Sequence, residues 1–386
     1  MLQHLKKIFL SKLRLSLILG LISSLISFIF IKVFRETFED EIFEQYVVIT
    51  SVISWILPFV WLRKDIFYAS SGKLFAVRNV LKISFTTIGV AAILLLFLLD
   101  DLVYSISLII VTTLSITSLF NAFYLSKKEI DKVAFFRLVN IVVTNMVILI
   151  CFYTFGNNLD LYYLLGTLTF SLFYSFIYFQ NSGHNFFRKI NSEIESSTKF
   201  TTFNTLSTFF YLTANHFTII LITLFFNSSE SADFHILSRI MAFPIVSISS
   251  TFYNRNLGIL KISSENNKKI FDQSILWSII LYLFLLILMN VIGNTFFSIN
   301  SFSLMQLILF TIMFNLKFIF NSWIPILYKQ DLKMELILAL LILLSSILPI
   351  ILINDFNSAI NSFLILEIII LLIGVSIMRK KLSIHV

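Results

Sequence analysis

The sequence predicts an all-helical polytopic membrane protein with twelve transmembrane helices and both termini in the cytoplasm. Hydrophobic residues make up 58% of the 386 residues and charged residues only 13%, whereas soluble domains carry roughly 25% charged residues. The apolar residues form long segments, each close to the ~20 residues that a helix needs to cross the hydrocarbon core. Because barrel strands are only ~10 residues long, these segments are predicted to be helices.

The twelve apolar segments are numbered here as spans 1 to 12 in chain order. They cover residues 15–34, 44–62, 80–99, 102–124, 135–155, 161–180, 202–226, 234–253, 274–293, 303–328, 334–353 and 357–378. The connections between them are about 20 residues or fewer, which is too short for a soluble catalytic domain. The chain has no phosphate-binding loop and no metal-binding helix motif. We therefore expect neither an ATP-driven pump nor an enzyme, and no cofactor or metal.

Basic residues alternate with the spans and indicate the orientation of the chain. All but four of the 29 Lys and Arg residues lie in seven short stretches, namely the N-terminus, 63–82, 127–137, 188–199, 255–269, 329–333 and 379–381. By the positive-inside rule these stretches face the cytoplasm, and the acidic or neutral junctions face outward. The net charge of +8 is thus expected to contact anionic membrane lipids and no nucleic acid.

The two halves of the chain have a similar layout. A shift of about 189 residues superposes spans 1 and 2 on spans 7 and 8. Span 2 contains Pro58 and ends at Arg63, and span 8 contains Pro244 and ends before Arg255. Because many transporters are built from duplicated bundles, the repeat predicts two six-helix halves, residues 1–190 and 191–386.

Two stretches of the second half resemble a known family. The stretch Asn204–Asn215 is rich in Asn, Ser and Thr, and in Asp233–Pro244 Arg239 lies five residues before the proline. This pattern is similar to helices seven and eight of polysaccharide flippases of the multidrug/oligosaccharidyl-lipid/polysaccharide exporter superfamily. In the first half, Lys32 lies near the position of a family arginine, while Gln45 and Phe234 replace glycines that the family has at its outer junctions.

The resemblance implies two six-helix bundles around a central cavity that opens alternately to each side of a bacterial cytoplasmic membrane. The implied substrate is an oligosaccharide linked to an isoprenoid diphosphate, moved from the inner to the outer leaflet for O-antigen, capsule or similar polysaccharide synthesis. A polysaccharide polymerase and glycosyltransferases are the protein partners that this function suggests. One alternative is a cation-coupled multidrug antiporter of the same superfamily, using Glu367 or another buried carboxylate. A second, a membrane glycan polymerase or acyltransferase, is disfavoured by the short outer loops.

Span 7 carries the polar residues that we expect to contact the substrate. Their spacing of i, i+4, i+7, i+11 and i+14 places them on one face of an α-helix: Asn204, Thr208, Tyr211, Asn215 and Thr218. Lipid does not accommodate such a face, so it is predicted to turn inward. The alternative is that these side chains hydrogen-bond neighbouring helices, as Ser, Thr and Asn often do in membrane bundles.

Four cations fall outside the basic stretches: Lys32, Arg35, Arg239 and Lys317. Lys317 lies deep in span 10, with Asn321 on the same face, and intramembrane charges usually mark functional sites. It is a candidate phosphate ligand, or half of an ion pair with Glu367. Arg239 is a candidate for bidentate phosphate binding, although it is near enough to the outer edge to extend outward. Lys32 is a weaker candidate, since neighbouring acidic residues offer surface pairing.

Overall fold

A computed structural model describes residues 2–56, 129–156, 158–182, 198–226, 228–249, 265–296 and 301–383, with isolated positions between 110 and 125 and at 252, 253 and 256. All regular structure in these ranges is helical. The chain forms two compact units, Met1–Thr205 and Leu206–Val386. The predicted division between residues 190 and 191 lies outside the described ranges.

Within the described ranges, the N-terminal unit contains four long helices and the start of a fifth. They are α1 (Leu2–Thr37), α2 (Asp40–Ile56), α3 (Ile130–Phe155), α4 (Leu159–Ser182) and α5 (Thr198–Leu212), which continues into the second unit. Helix α3 packs against both α1 and α4. It ends at Gly156, whose φ of 83° is a conformation that glycine adopts without strain.

Close packing of α3 and α4 depends on Gly166. A Cβ atom at this position would lie 2.8 Å from the carbonyl oxygen of Thr144 on α3. The missing side chain therefore lets the two backbones approach, as small residues do in membrane bundles. In the same unit, five buried aromatic residues form a cluster: Phe120, Tyr124, Phe136, Phe170 and Tyr174.

The C-terminal unit continues from α5 through a π-helical turn, π1 (Thr213–Phe217), into α6 (Thr218–Phe225). A second π-helical turn, π2 (Ile245–Ser249), directly follows α7 (Ser228–Pro244). The other helices in the described part of this unit are α8 (Glu265–Phe296), α9 (Leu304–Trp323), α10 (Pro325–Gln330), α11 (Leu332–Leu352) and α12 (Phe356–Ser383). Helix α9 packs against both α8 and α12, and α11 packs against α12.

Local sequence signals explain where α9 and α11 begin. Ser303 accepts a hydrogen bond from the backbone N–H of Gln306, and the Gln306 side chain accepts one from the backbone N–H of Ser303. This reciprocal arrangement satisfies two amide groups at the start of α9. At the start of α11, Asp331 accepts a hydrogen bond from the backbone N–H of Met334.

Seven helices in the described part of the chain are long and apolar enough to cross a membrane. They are Ile18–Thr37, Ile130–Phe155, Thr205–Phe225, Lys268–Ile287, Leu304–Leu327, Leu332–Leu352 and Phe356–Leu382. These correspond to predicted spans 1, 5, 7, 9, 10, 11 and 12, so the all-helical polytopic fold class is confirmed. Span 6 contains the shorter apolar helix Leu161–Ile177, and spans 2 and 8 are described in part. Spans 3 and 4 lie wholly or largely outside the described residues.

Candidate functional site

The C-terminal unit contains an intramembrane ion pair between α9 and α12. The Nζ atom of Lys317 lies 2.7 Å from Oε1 of Glu367, and the two side chains are 12% and 0% exposed. The same Nζ donates a hydrogen bond to Oδ1 of Asn215 at 3.0 Å and lies 5.4 Å from the centroid of the Phe314 ring. Of the two alternatives for Lys317, the ion pair with Glu367 is confirmed. Contact with substrate stays a prediction.

Asn215 belongs to the π1 turn and is the exposed member of this group. Its Oδ1 accepts from Lys317, and its Nδ2 donates to the backbone carbonyl of Tyr211 at 2.9 Å. Single π-helical turns inside α-helices are frequent at functional sites. Since a polar side chain is costly in contact with lipid, an exposed amide within a span indicates a surface that contacts water or a polar ligand.

The polar residues predicted to line span 7 do not form one continuous face. The hydroxyls of Thr208 and Tyr211 are buried and have no hydrogen-bonding partner among the described residues. Thr218, beyond the π1 turn, is 2% exposed and donates to the carbonyl of Ala214. The side chain of Asn204 lies outside the described part of the chain. The π1 turn therefore changes the angular relation between the residues before and after it.

Arg239 on α7 lies near a pair of histidines. It interacts electrostatically with His235 on its own helix and with His216 in π1. Lys317 interacts with His216 as well. His235 is 2% exposed and Arg239 is half-buried. The structure thus places the two predicted phosphate ligands, Lys317 and Arg239, around one histidine in the same unit.

The other predicted site residues contribute less to this group. Asn321 lies one helical turn after Lys317 on α9 and is half-buried. Lys32 belongs to the N-terminal unit, where its Nζ lies 3.5 Å from Oε1 of Glu36 with both side chains substantially exposed. This is the surface pairing that was the alternative to a phosphate contact.

The sequence analysis missed Glu335 as a buried carboxylate. Glu335 lies in the first turn of α11 with 0% exposure, and it accepts a hydrogen bond from the hydroxyl of Ser207 on α5. Its position at the edge of span 11 made it look solvated. The sequence carries no signal for its burial, because Glu335, like Asp331, lies beside Lys329 and Lys333 at a span edge, where acidic and basic residues commonly pair at the surface.

Helix α9 also has polar contacts on the side of π2. The hydroxyl of Ser249 in π2 donates to the backbone carbonyl of Phe318 at 3.2 Å, and Ser322 donates to Ser249 at 2.9 Å. On another flank, the Ser278 hydroxyl on α8 lies 3.3 Å from Oδ1 of Asn315. Both π-helical turns therefore contact α9, the helix that carries Lys317.

The fold and the site define an all-helical membrane protein with a buried ion pair and a second buried carboxylate in its C-terminal unit. Among the described residues, no group of three or more His, Cys, Asp and Glu side chains is placed to hold a metal ion.

Comparison with solved structures gives the fold of the whole chain. A crystal structure of a single-residue mutant of the Vibrio cholerae MATE transporter VcmN superposes with a TM-score of 0.57 at 12% identity, covering 98% of this chain and 97% of that chain. VcmN in the bent form gives a TM-score of 0.57 at 12% identity, covering 98% of both chains. A MATE protein in the bent conformation gives 0.59 at 10% identity, covering 97% and 94%. This likeness shows that the chain has the fold of MATE transporters.

Sequence comparison adds no family. No protein-family model matches the chain, and no curated protein sequence matches it.

Proposed function

We propose that the protein is a secondary transporter that exchanges an organic substrate for a cation across a membrane. The observation that carries this proposal is a pair of carboxylates, Glu335 and Glu367, that are both fully buried within membrane-spanning helices. Intramembrane carboxylates are costly and commonly belong to proton or ion pathways. The likeness to MATE transporter structures supports the same class of function.

Each carboxylate has a neighbour that can respond to cation binding. Glu367 is compensated by Lys317, and Glu335 accepts a hydrogen bond from Ser207. A proton or sodium ion that neutralises either carboxylate weakens these contacts, because a neutral carboxyl group attracts the ammonium or hydroxyl group less strongly. Cation binding is thereby linked to the packing of α5, α9, α11 and α12, which is the requirement for coupled transport.

A transport assay tests this proposal. Purified protein is reconstituted into proteoliposomes loaded with ethidium, and an imposed proton or sodium gradient is applied. We expect gradient-dependent export that falls by at least about tenfold in Glu335→Gln or Glu367→Gln, equivalent to ~1.4 kcal/mol in the transport barrier. The matched control is Glu36→Gln, which removes a carboxylate with a 64% exposed side chain and leaves export unchanged. Export that ignores both gradients contradicts the proposal.

A second candidate function is favoured by the cations of the same unit. Lys317 and Arg239 both interact electrostatically with His216, and such cations suit the oxygens of a diphosphate. This arrangement fits the flipping of an oligosaccharide linked to an isoprenoid diphosphate, which the resemblance of Asn204–Asn215 and Asp233–Pro244 to polysaccharide flippases also suggests. A polysaccharide polymerase and glycosyltransferases of a bacterial cytoplasmic membrane would then be its partners.

Translocation of a lipid-linked oligosaccharide distinguishes the two candidates. In reconstituted vesicles, the second candidate predicts movement of a fluorescent isoprenoid-diphosphate oligosaccharide between leaflets. Arg239→Ala should reduce this movement without preventing insertion, whereas Lys333→Ala, which removes an exposed cation at the start of α11, should not. Vesicles that export ethidium and leave the glycolipid in place support the first candidate alone.

A further inference from the structure

The Lys317 ammonium group is shared between two partners of different accessibility. Glu367, on one side, is fully buried, and Asn215, on the other, is exposed. We infer that Lys317 and Asn215 form a binding site for an anionic group of the substrate, and that Glu367 is an internal competitor that takes up a proton when this group binds. The inference rests on the second candidate function, the flipping of a diphosphate-linked oligosaccharide, and adds to it a proton that is taken up together with the substrate.

The hydrogen-bonding capacity of Lys317 leaves room for a ligand. An ammonium group has three N–H donors. One is directed to Glu367 and one to Asn215, and the ring of Phe314 lies beside the group at 5.4 Å. A ligand that arrives at the exposed Asn215 meets the amide first and the ammonium next. It does not need to displace α12 to reach either group.

The carboxylate of Glu367 is poorly satisfied without Lys317. Its Oε2 atom is buried and has no hydrogen-bonding partner among the described residues. A buried carboxylate that loses its cation is strongly destabilised, by roughly 3–5 kcal/mol. When an anionic ligand draws the ammonium away, Glu367 therefore becomes a base, and Oε2 is a free position for the incoming proton.

The net charge of the buried site is the same before and after the anion binds. Before binding, the ammonium of Lys317 and the carboxylate of Glu367 cancel. After binding, the ammonium pairs with one negative charge of the ligand, and a proton from solution neutralises Glu367. The buried site is neutral in both states, which avoids the cost of an isolated charge in a membrane interior. Binding of the anion and uptake of a proton are consequently linked.

The other charged groups of the unit favour an anion at this position. Arg239 on α7 and Lys317 both interact with His216 in π1, next to Asn215. On α11, Glu335 is hydrogen-bonded to Ser207 of α5. Lys317 is the charged group in contact with Glu367 among the described residues. Two positive groups of the unit thus act on the π1 turn that carries Asn215.

A phosphate or diphosphate is the simplest anion that matches an ammonium, an amide and a nearby guanidinium. The test uses full-length protein in lipid nanodiscs and three probes: farnesyl diphosphate, inorganic pyrophosphate and the organic cation tetraphenylphosphonium. Calorimetric titrations in two buffers of different ionisation enthalpy give the affinity and the number of protons taken up. Farnesyl diphosphate binding alone indicates a lipid-borne phosphate, and binding of pyrophosphate as well indicates a free phosphate ligand. Either result supports the site.

Three variants distinguish proton uptake by Glu367 from simple attraction between Lys317 and an anion. In Glu367→Gln, proton uptake should fall by about one per bound diphosphate, as linkage requires, while affinity is retained or improved because the competitor is gone. Lys317→Ala combined with Glu367→Ala leaves no lone buried charge and should fold, yet it should bind at least about tenfold more weakly, the loss expected for one charge-assisted hydrogen bond. Asn215→Asp places a carboxylate beside Lys317 and should block the probes.

Specific results overturn the inference. Equal proton uptake by the unaltered protein and Glu367→Gln excludes Glu367 as the proton acceptor. Binding of tetraphenylphosphonium without any diphosphate binding excludes an anion site. If tetraphenylphosphonium binds, no diphosphate binds and ethidium export still follows a cation gradient, the proposed exchange function stands while the inference fails. If diphosphate binds with proton uptake but no probe is exported along a cation gradient, the inference stands and the proposed exchange function fails.

Discussion

Ser207 and Glu335 form a buried hydrogen bond that joins α5 to α11 within the C-terminal unit. Their exposures are both 0%, so water does not replace the hydroxyl donor when it is removed. A short polar side chain on one helix thus compensates a carboxylate on another, more than one hundred positions further along the chain.

Replacing Ser207 by Ala should lower the stability of the folded protein. The change leaves the buried Glu335 carboxylate with one donor fewer, at a cost of about 1–3 kcal/mol. Thermal unfolding in detergent, followed by size-exclusion chromatography, measures the shift of the midpoint. The matched control is Ser345→Ala on α11, because the Ser345 hydroxyl is buried but donates only to a carbonyl of its own helix. A midpoint shift no larger than that of the control would count against the hydrogen bond.

The ion pair of Lys317 and Glu367 predicts strong coupling between two substitutions. Removing either partner alone leaves a buried charge and should cost roughly 3–5 kcal/mol, whereas removing both should cost less than the sum. Expression level and unfolding midpoint of Lys317→Ala, Glu367→Ala and the double variant complete the cycle. If the double variant is as unstable as the two single losses added together, the residues do not interact in the folded protein.

Acid should weaken the contact at the start of α11. A hydrogen bond from the Lys381 ammonium, helped by the backbone N–H of Met334, holds the pKa of Asp331 below its ordinary value. A carboxylate with a lowered pKa stabilises the fold above its ordinary pKa, and this contribution disappears as the pH falls through the lowered value. Because both side chains are partly exposed, the effect should be no more than about 1 kcal/mol.

Asp331→Asn is the variant that isolates this contribution. Asparagine retains the ability to cap α11 and removes the negative charge. We expect it to unfold at a lower temperature than the unaltered protein at neutral pH. The two should unfold at the same temperature once the pH has fallen below the lowered pKa of Asp331, which is more acidic than the ordinary aspartate value of about 3.9. A difference that persists unchanged into this acidic range assigns the effect to something other than the charge.

Gly166 and Gly374 differ in what an added side chain would meet, which is a helix backbone at Gly166 and an aromatic ring at Gly374. A Cβ at Gly166 would meet the backbone of Thr144 at 2.8 Å, while one at Gly374 would meet the ring of Phe320 at 2.7 Å. Overpacking commonly costs about 1–3 kcal/mol. We expect Gly166→Ala to be the more destabilising, because a ring can rotate away and a helix backbone cannot. Unfolding midpoints of the two variants give the order, and the reverse order contradicts the explanation.

Hydrophobicity was sufficient to predict the membrane-spanning helices of the described part. Spans 10, 11 and 12 were recognised because a membrane helix must be continuous and apolar, and this requirement is visible in any sequence. The pairing of Lys317 with Glu367 was accessible for a related reason. Two charges at similar depth in adjacent spans have few partners other than each other.

The π-helical turns and the burial of Glu335 were not predictable in the same way. A period of 3.6 residues per turn places Thr218 on the face of Asn215, whereas the structure buries Thr218 and exposes Asn215. A π turn depends on tertiary packing and leaves no mark in hydropathy. Glu335 lies at a span edge, where exposure is decided by which neighbouring helix covers it.

Among the described residues, helix α12 forms ion pairs with three different helices. Glu367 contacts α9 in mid-span, Arg379 lies 3.2 Å from Asp272 of α8, and Lys381 lies 2.9 Å from Asp331 at the start of α11. The last two are partly exposed and are therefore screened by salt, but the first is not. High ionic strength should therefore weaken the pairs of Arg379 and Lys381 at the end of α12. The Lys317–Glu367 pair in mid-span should respond to ligand and not to salt.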